Sequence, residues 1–584
     1  MKTEAVESTR GVELQRHTAL DQPLADRPGR VTTAEAWALA ALAIPAATIL
    51  GGEAIDALGV RLLPALMLPF VLLCSASVAW YARRHAVASS RDTRLFLAIV
   101  ASVAGWLLWL ARPTLLPLST GPDLTHHLLL VDYIERHWRL VHDPSLARQI
   151  GEMAQYTPGA HILAALAGAW SGSDGLHALH AVQCLTVALE TGFLYLVAVR
   201  MLPERSPRVL AVLSAVLLLA SPRYMLGAFT EYGFFSQVVA EVFVAGVWWV
   251  SVAWDADPDW RLCLVAGLAG AAVFLTWPVY SGPPMLALFL VVVLRTETAW
   301  TRRLRDLLVA FAPFTAVVAT YLLGRLGWLR LAGTGGTAPS PSVASFSLPL
   351  VVLAVFGVAL VCARRSTRAT AALVAALVAQ TIALYVVAER SGAPQPYMAL
   401  KMFYLWLRPM TLCAAVAVAF LWQRGWNATR AVRRQRVSET TEMRAAWLLL
   451  VTVLLLVARP LWKTPRVLHP KPPAVSQALF EAGRWARANV PPGCVEYLVG
   501  DDETAYWLHL AVLGNPRMSD RTGDNSTYEP SDAIVRWLTP NGLPYAIADL
   551  GSLPHDVRTE LDVVRQFDTA AVARRRGPST CATP

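Results

Sequence analysis

Charge is scarce in this chain of 584 residues: Asp, Glu, Lys and Arg together make up 16%, where an ordinary soluble protein carries about a quarter. Lysine is scarcer still, confined to Lys2, Lys401, Lys463 and Lys471. No Gly-rich phosphate loop, CxxC pair or HExxH run occurs, and no internal repeat. Without a phosphate loop, a P-loop-driven transporter is excluded. Cysteines are few and mostly apolar in setting. Cys74, Cys184, Cys263, Cys362 and Cys413 lie in hydrophobic segments and read as small apolar side chains. Only Cys494 and Cys581 fall in a polar region, where an oxidising compartment permits a bond between them.

Hydrophobic residues are abundant, at 55%, and mean hydropathy is +0.44. Runs such as LLPALMLPFVLLCSASVAWYA are long enough to cross a bilayer core of roughly 30 Å. The composition predicts an all-α polytopic membrane protein. Its net charge of +10 then marks cytoplasmic loops rather than a nucleic-acid partner. Residues 1–33 are polar and Arg-bearing and read as a cytoplasmic tail. They are too long and mixed for a cleaved signal, so the first span is expected to be an uncleaved anchor.

Apolar spans are expected near 34–52, 62–82, 95–111, 176–199, 208–222, 236–254, 261–276, 279–294, 306–325, 346–363, 369–388, 404–422 and 444–459, about 13 in all. Arginine clusters after the second, fourth, eighth, tenth and twelfth spans fall on one side, with the N-terminus. The loop holding Asp255, Asp257 and Asp259 breaks the pattern, but acids weigh little in that rule. Residues 158–171 are apolar yet short; if they crossed, Arg200 to Arg208 would change sides. They are therefore expected to form an interfacial or re-entrant helix. The segments 112–175 and everything after Leu461 then lie outside.

The external stretch from Gly121 to His161 stands out. It carries Asp123, Asp132, Glu135, Asp143 and Glu152, and five of the twelve histidines. A connection of that length between spans is unusual unless it has work to do. On a helix starting near Pro122, Asp123, His126 and His127 share one face, with Asp132 opposite. Asp123 also fits the plainer reading of an N-cap. Further along, Lys401, Tyr404 and Arg408 form one helical stripe at a membrane boundary. Snorkelling with an interfacial Tyr is the competing explanation.

After the last span, a Pro-rich linker leads into an expected external α/β domain of about 115 residues, within the usual domain range. Helices are read at VSQALFEAGRWARANV and DAIVRWL, and short buried strands at CVEYLVG and LPYAIADL. Asp501, Asp502 and Glu503 read as a solvated turn. The division is thus 1–33 tail, 34–461 transmembrane domain and 462–584 external domain.

An apolar span, an acid just outside it, a His/Tyr-bearing loop, and Tyr-x-Pro-Gly-x-His entering a short apolar helix follow one another here. The residues are Asp123, His126, His127, Tyr156, Pro158, Gly159 and His161. This order resembles the C superfamily of membrane glycosyltransferases, most closely the group with aminoarabinose and protein O-mannosyl transferases. Two features depart from it: the loop follows the third span rather than the first, and the paired acids are replaced by Asp123 with two histidines. The resemblance implies a GT-C-like inverting transferase in the plasma membrane, moving a sugar from a polyprenyl-phosphate donor to a lipid or glycan acceptor on the external face. It implies catalytic roles for Asp123, His126, His127 and Glu231, and substrate contacts from Tyr156, His161, Lys401, Tyr404 and Arg408. Lys401 and Arg408 suit a leaving phosphate, and a carboxylate suits the acceptor's proton. A divalent metal is left open as cofactor.

Two other readings stand beside it. A lipid-linked glycan flippase would need charged residues deep in several spans, and few are evident. A non-catalytic cell-envelope scaffold would rely on the external domain alone. The span order makes a direct prediction: a cysteine introduced near residue 203 should react with impermeant thiol reagents only from the side of the N-terminal tail. Labelling from the opposite side alone would overturn the topology.

Overall fold

The structure is a computed structural model that describes residues 31–118, 122–202, 208–220, 228, 232–324, 348–433, 448, 472–515, 530–539, 542–576 and 581. The expected span 444–459 and Glu231 lie outside the described residues. The membrane bundle opens with α1 (Thr33–Ala57), α2 (Pro64–His85) and α3 (Ser90–Leu110). Then come α4 (Pro122–His137), α5 (Gly159–Trp170), α6 (Gly175–Met201) and α7 (Arg208–Val216). The rest are α8 (Phe235–Ala256), α9 (Trp260–Thr276), α10 (Gly282–Leu294), α11 (Trp300–Gly324), α12 (Leu348–Cys362), α13 (Arg368–Ser391) and α14 (Tyr397–Arg433). Eight of the described helices are long and apolar enough to cross a bilayer. The protein is a multi-pass, mostly helical membrane protein with a small α/β appendage. Every expected span from 34–52 to 404–422 coincides with a helix, α7 being continued by a 3-10 turn over Leu217–Ala220.

Polar contacts at the helix ends show which ends lie together. Glu35 caps the first turn of α1 by receiving the Thr32 amide at 2.7 Å. The same carboxylate pairs with Arg200 at the end of α6 and accepts Trp249 Nε1 from α8 at 3.0 Å. Arg208 meets Asp92 at 3.1 Å, joining the starts of α7 and α3. Asp255, in the acidic loop that broke the charge pattern, pairs with Arg368 and, at 3.6 Å, with Arg295. Asp259 caps α9 through the Arg261 amide. Of the acids in that loop, Asp255 thus partners neighbouring arginines and Asp259 a helix-end amide. At the opposite end, Asp56 accepts the Leu140 amide at 2.9 Å and His142 Nε2 at 2.6 Å, and Thr157 donates to Thr276 O at 3.1 Å.

With 12 residues, α5 reaches about 18 Å at 1.5 Å per residue, too short to cross. It packs against α1, α4 and α6, and Trp170 Nε1 anchors its end on Pro64 O at 3.0 Å. Small residues set two close helix crossings, as is usual in lipid. A Cβ at Gly357 of α12 would strike the Cys413 carbonyl of α14, and one at Gly267 of α9 the Ala310 carbonyl of α11.

The appendage begins with α15 (Gln477–Asn489), capped by Ser476, followed by β1 (Val495–Leu498) and α16 (Asp502–Trp507). After a π-helical turn at Leu508–Val512 come α17 (Pro530–Leu538), β2 (Tyr545–Asp549), α18 (His555–Thr559), β3 (Leu561–Phe567) and β4 (Ala570–Arg575). The sheet order is β1-β2-β4-β3, with β1 and β2 parallel and the other pairings antiparallel. Both expected strands and both expected helices are present. The Asp501–Glu503 turn is instead the start of a helix, Asp501 capping α16 at the Thr504 amide. The β3–β4 hairpin escapes the sequence reading because β3 is an edge strand with an exposed, charged pattern.

Cys494, just before β1, is bonded to Cys581 near the C-terminus. A loop of this length, with a sequence separation of 87, is worth about 2–4 kcal/mol to the appendage. Wild-type protein should therefore shift mobility on adding reductant, and Cys581→Ser protein should not. The variant's appendage should also be cut by protease at lower denaturant. Equal mobility of wild type in both conditions would count against the bond.

Candidate functional site

Helix α4 positions the candidate residues. Pro122 opens it, Asp123 sits in its first turn, and Arg136 and His137 close it, a charge order that suits the helix dipole. Asp123 lies inside the helix, one residue after its start, so the N-cap reading does not hold. Its carboxylate is exposed. The charge reaches Tyr156, where it adds to burial in pushing the phenol well above its ordinary pKa.

His126 and His127 point to different partners. His126 is buried, with Nδ1 2.9 Å from Glu152 Oε1 and Nε2 2.8 Å from the Tyr506 hydroxyl of the appendage. His127 Nδ1 lies 2.9 Å from His161 Nε2, and its ring stands edge-on to Tyr156 and Phe235. Burial, then the neighbouring His161, His126 and Lys401, hold His127 well below its usual pKa, so it is neutral. Tyr156 also packs near Trp277, which follows α9. His127, Tyr156 and His161 are thus brought into one cluster, the Asp123 charge reaching its Tyr156, while His126 is bonded to Glu152 and to Tyr506 of the appendage.

Lys401 and Tyr404 lie on the first turns of α14. Lys401 is 1% exposed, and its Nζ rests on the Phe234 ring with Tyr397 at 5.1 Å and Tyr404 at 5.8 Å. Tyr280 fixes its backbone by donating to Lys401 O at 2.8 Å. Among the described residues, no carboxylate lies within ion-pair distance of Nζ. The Asp123 charge acts on it from further away. Arg408, two turns deeper, is engaged elsewhere: it binds Glu190 of α6 at 2.6 Å and Glu241 of α8. The expected phosphate contact from Arg408 is therefore replaced by a buried triad. Glu190 and Glu241 were missed as partners, although each is a lone acid inside an apolar run, VALETGF and VVAEVFV, which is itself a signal in a span.

The opposite face of α4 holds the appendage. Asp132 pairs with Arg136 at 2.5 Å and Arg487 at 2.8 Å, and lies 3.8 Å from Arg484. Arg484 also reaches Asp174, the cap of α6, at 3.3 Å. Glu135 accepts the Gly175 amide at 2.5 Å. Among the described residues, no group of three or more His, Cys, Asp or Glu side chains is placed to hold a metal ion.

No protein-family model matches the sequence, and no curated protein matches it. Among solved structures, the chain is similar to the archaeal oligosaccharyltransferase AglB from Archaeoglobus fulgidus, in complex with an inhibitory peptide and a dolichol-phosphate. Identity there is 13% and the TM-score 0.45, over 79% of this chain and 70% of that one. It is also similar to ArnT from Cupriavidus metallidurans bound to undecaprenyl phosphate, with 15% identity and a TM-score of 0.44, over 82% of this chain and 97% of that one. Both neighbours are membrane glycosyltransferases of the GT-C type.

Burial, chiefly, raises Glu135 to about 7, against the opposing hydrogen bond from Gly175. A carboxyl raised in the folded state holds its proton longer than in the unfolded chain. Its contribution is complete below the unfolded pKa and is lost as pH rises towards 7. The melting temperature should fall between pH 5 and 8 more steeply in wild type than in Glu135→Gln. Parallel pH profiles for the two proteins would refute this.

Proposed function

We propose that the protein is a membrane glycosyltransferase, moving a sugar from a polyprenyl-phosphate donor to an acceptor on the face that carries the appendage. The observation that carries the reading is Lys401. Lys401 is a buried lysine on an aromatic floor, with no carboxylate within ion-pair distance among the described residues, and its charged form is costly there unless an anion meets it. A lipid phosphate arriving at the first turns of α14 supplies that charge. Asp123 stands nearby on the exposed start of α4, where an acceptor from solvent or membrane surface can reach it.

In the proposed reaction, the acceptor hydroxyl oxygen attacks the anomeric carbon in line with the leaving group. The bond from that carbon to the phosphate oxygen breaks, and the phosphate departs with the electron pair towards Lys401. The acceptor proton passes to the Asp123 carboxylate. Tyr156, His127 and His161 form the wall of the site, and the neutral histidines orient Tyr156 rather than carry charge. Glu231 is assigned to acceptor positioning on its sequence place alone. Arg408 is assigned to holding α6, α8 and α14 together, since two carboxylates already occupy its guanidinium. The C-terminal appendage is taken as a separate external domain that braces α4.

The triad also favours a second reading. Two acids and an arginine buried within spans are the feature a flippase would show. A reconstituted assay separates the two. Transfer of labelled sugar from polyprenyl phosphate should fall about 10²–10⁴-fold in Asp123→Asn, with expression near wild type because the acid is exposed. Lys401→Ala should raise the donor concentration needed for half-maximal rate. Wild-type transfer rates in Asp123→Asn would remove the proposed base. Lipid movement between leaflets with no transfer from any donor would replace the reaction with flipping.

A further inference from the structure

A cavity lies at the end of the bundle that holds Asp143 and Gln155, with Lys401 outside its lining. It has a volume of about 580 Å³ and is walled by α1, α9 and α11 under the loop of residues 141–155. Leu50, Leu275 and Val317 make its walls apolar. Leu268, 40% exposed on the same wall, leaves it open at the side of the helix bundle. Its rim is different. Glu53 and Asp143 line it, together with His142, whose Nε2 is already bonded to Asp56 at 2.6 Å. No lysine or arginine lines the cavity among the described residues.

From this geometry we infer that the groove binds a membrane lipid whose headgroup bears hydroxyl or ammonium donors and no net negative charge. Apolar walls on three spanning helices accept an acyl chain from the leaflet. The acidic rim accepts hydrogen bonds and repels phosphate, the reverse of the chemistry at Lys401. The groove also adjoins the candidate site. Tyr321 on its wall donates to Gln155 O at 2.9 Å, and Gln155 is the residue before Tyr156. A headgroup seated on this rim therefore lies next to the Tyr156 wall. On the transferase reading, and only there, this lipid is the acceptor, so donor and acceptor enter by two gates of opposite charge preference.

The test reads binding rather than turnover. Full-length protein is placed in nanodiscs containing equal amounts of diglucosyl diacylglycerol, uncharged and hydroxyl-rich, and phosphatidylglycerol, which is anionic. Lipids retained after gentle extraction are counted by native mass spectrometry. Wild type should retain the glycolipid in preference. Ala316→Trp, which fills the groove from an exposed position on α11, should lower that retention about tenfold, a loss of roughly 1.4 kcal/mol. Thr315→Trp, its exposed neighbour outside the groove, should not. Asp143→Lys should turn the preference towards phosphatidylglycerol. Equal retention of the two lipids by wild type, or equal retention by the two tryptophan variants, overturns the inference. Selective binding in a protein that shows no sugar transfer would instead leave the groove standing and remove the transferase.

Discussion

Charge in a hydrocarbon setting has to be met by charge or hydrogen bonds, and that constraint organises this bundle. At one end, Glu35, Asp92, Asp255 and Asp306 each engage an arginine, mostly from another helix, and so fasten the helix ends in their order. Deeper down, Arg408 is matched by Glu190 and Glu241. Such pairs add little net stability over apolar packing, but breaking one leaves an uncompensated buried charge, so they enforce one arrangement of helices. Lys401 is set apart by this rule. It lies two turns along α14 from Arg408, is equally buried, and rests on aromatic rings in place of a carboxylate.

The second organising contact is between α4 and the appendage. One face of α4 offers His127 to the His161 and Tyr156 cluster; the other offers Asp132 to Arg484 and Arg487. His126 adds a bridge through Tyr506. A short helix that carries the candidate base is thus held from both sides. Rigid support of this kind is what a site needs if its acid is to stay exposed yet fixed. The appendage in turn is pinned by its own disulfide and by a sheet whose central strand β4 is buried over Ala570–Ala573.

Periodicity and length made the bundle legible. Apolar runs mark where the described helices of the bundle fall, and 158–171 forms a helix of only 12 residues, shorter than a bilayer core of roughly 30 Å requires. Helical spacing put Asp123, His126 and His127 on one face of α4; in the structure the two histidines part, His127 to His161 and His126 to Glu152 and Tyr506. Cys494 and Cys581 were legible by elimination, as the two cysteines in polar sequence. The β3–β4 hairpin was not, because an edge strand shows no alternating pattern.

Windows of twenty residues or fewer carry the class of the protein, the positions of its spans and the local face of each helix. Partners across long separations depend on how the helices pack. Arg408 and Lys401 look alike on one helical stripe, yet one meets Glu190, 218 residues away, and the other does not meet a carboxylate among the described residues. His126 and His127 are adjacent in sequence but face the appendage and the bundle respectively. A cation's role depends on which distant acid shares its burial, and only the packing of helices fixes that.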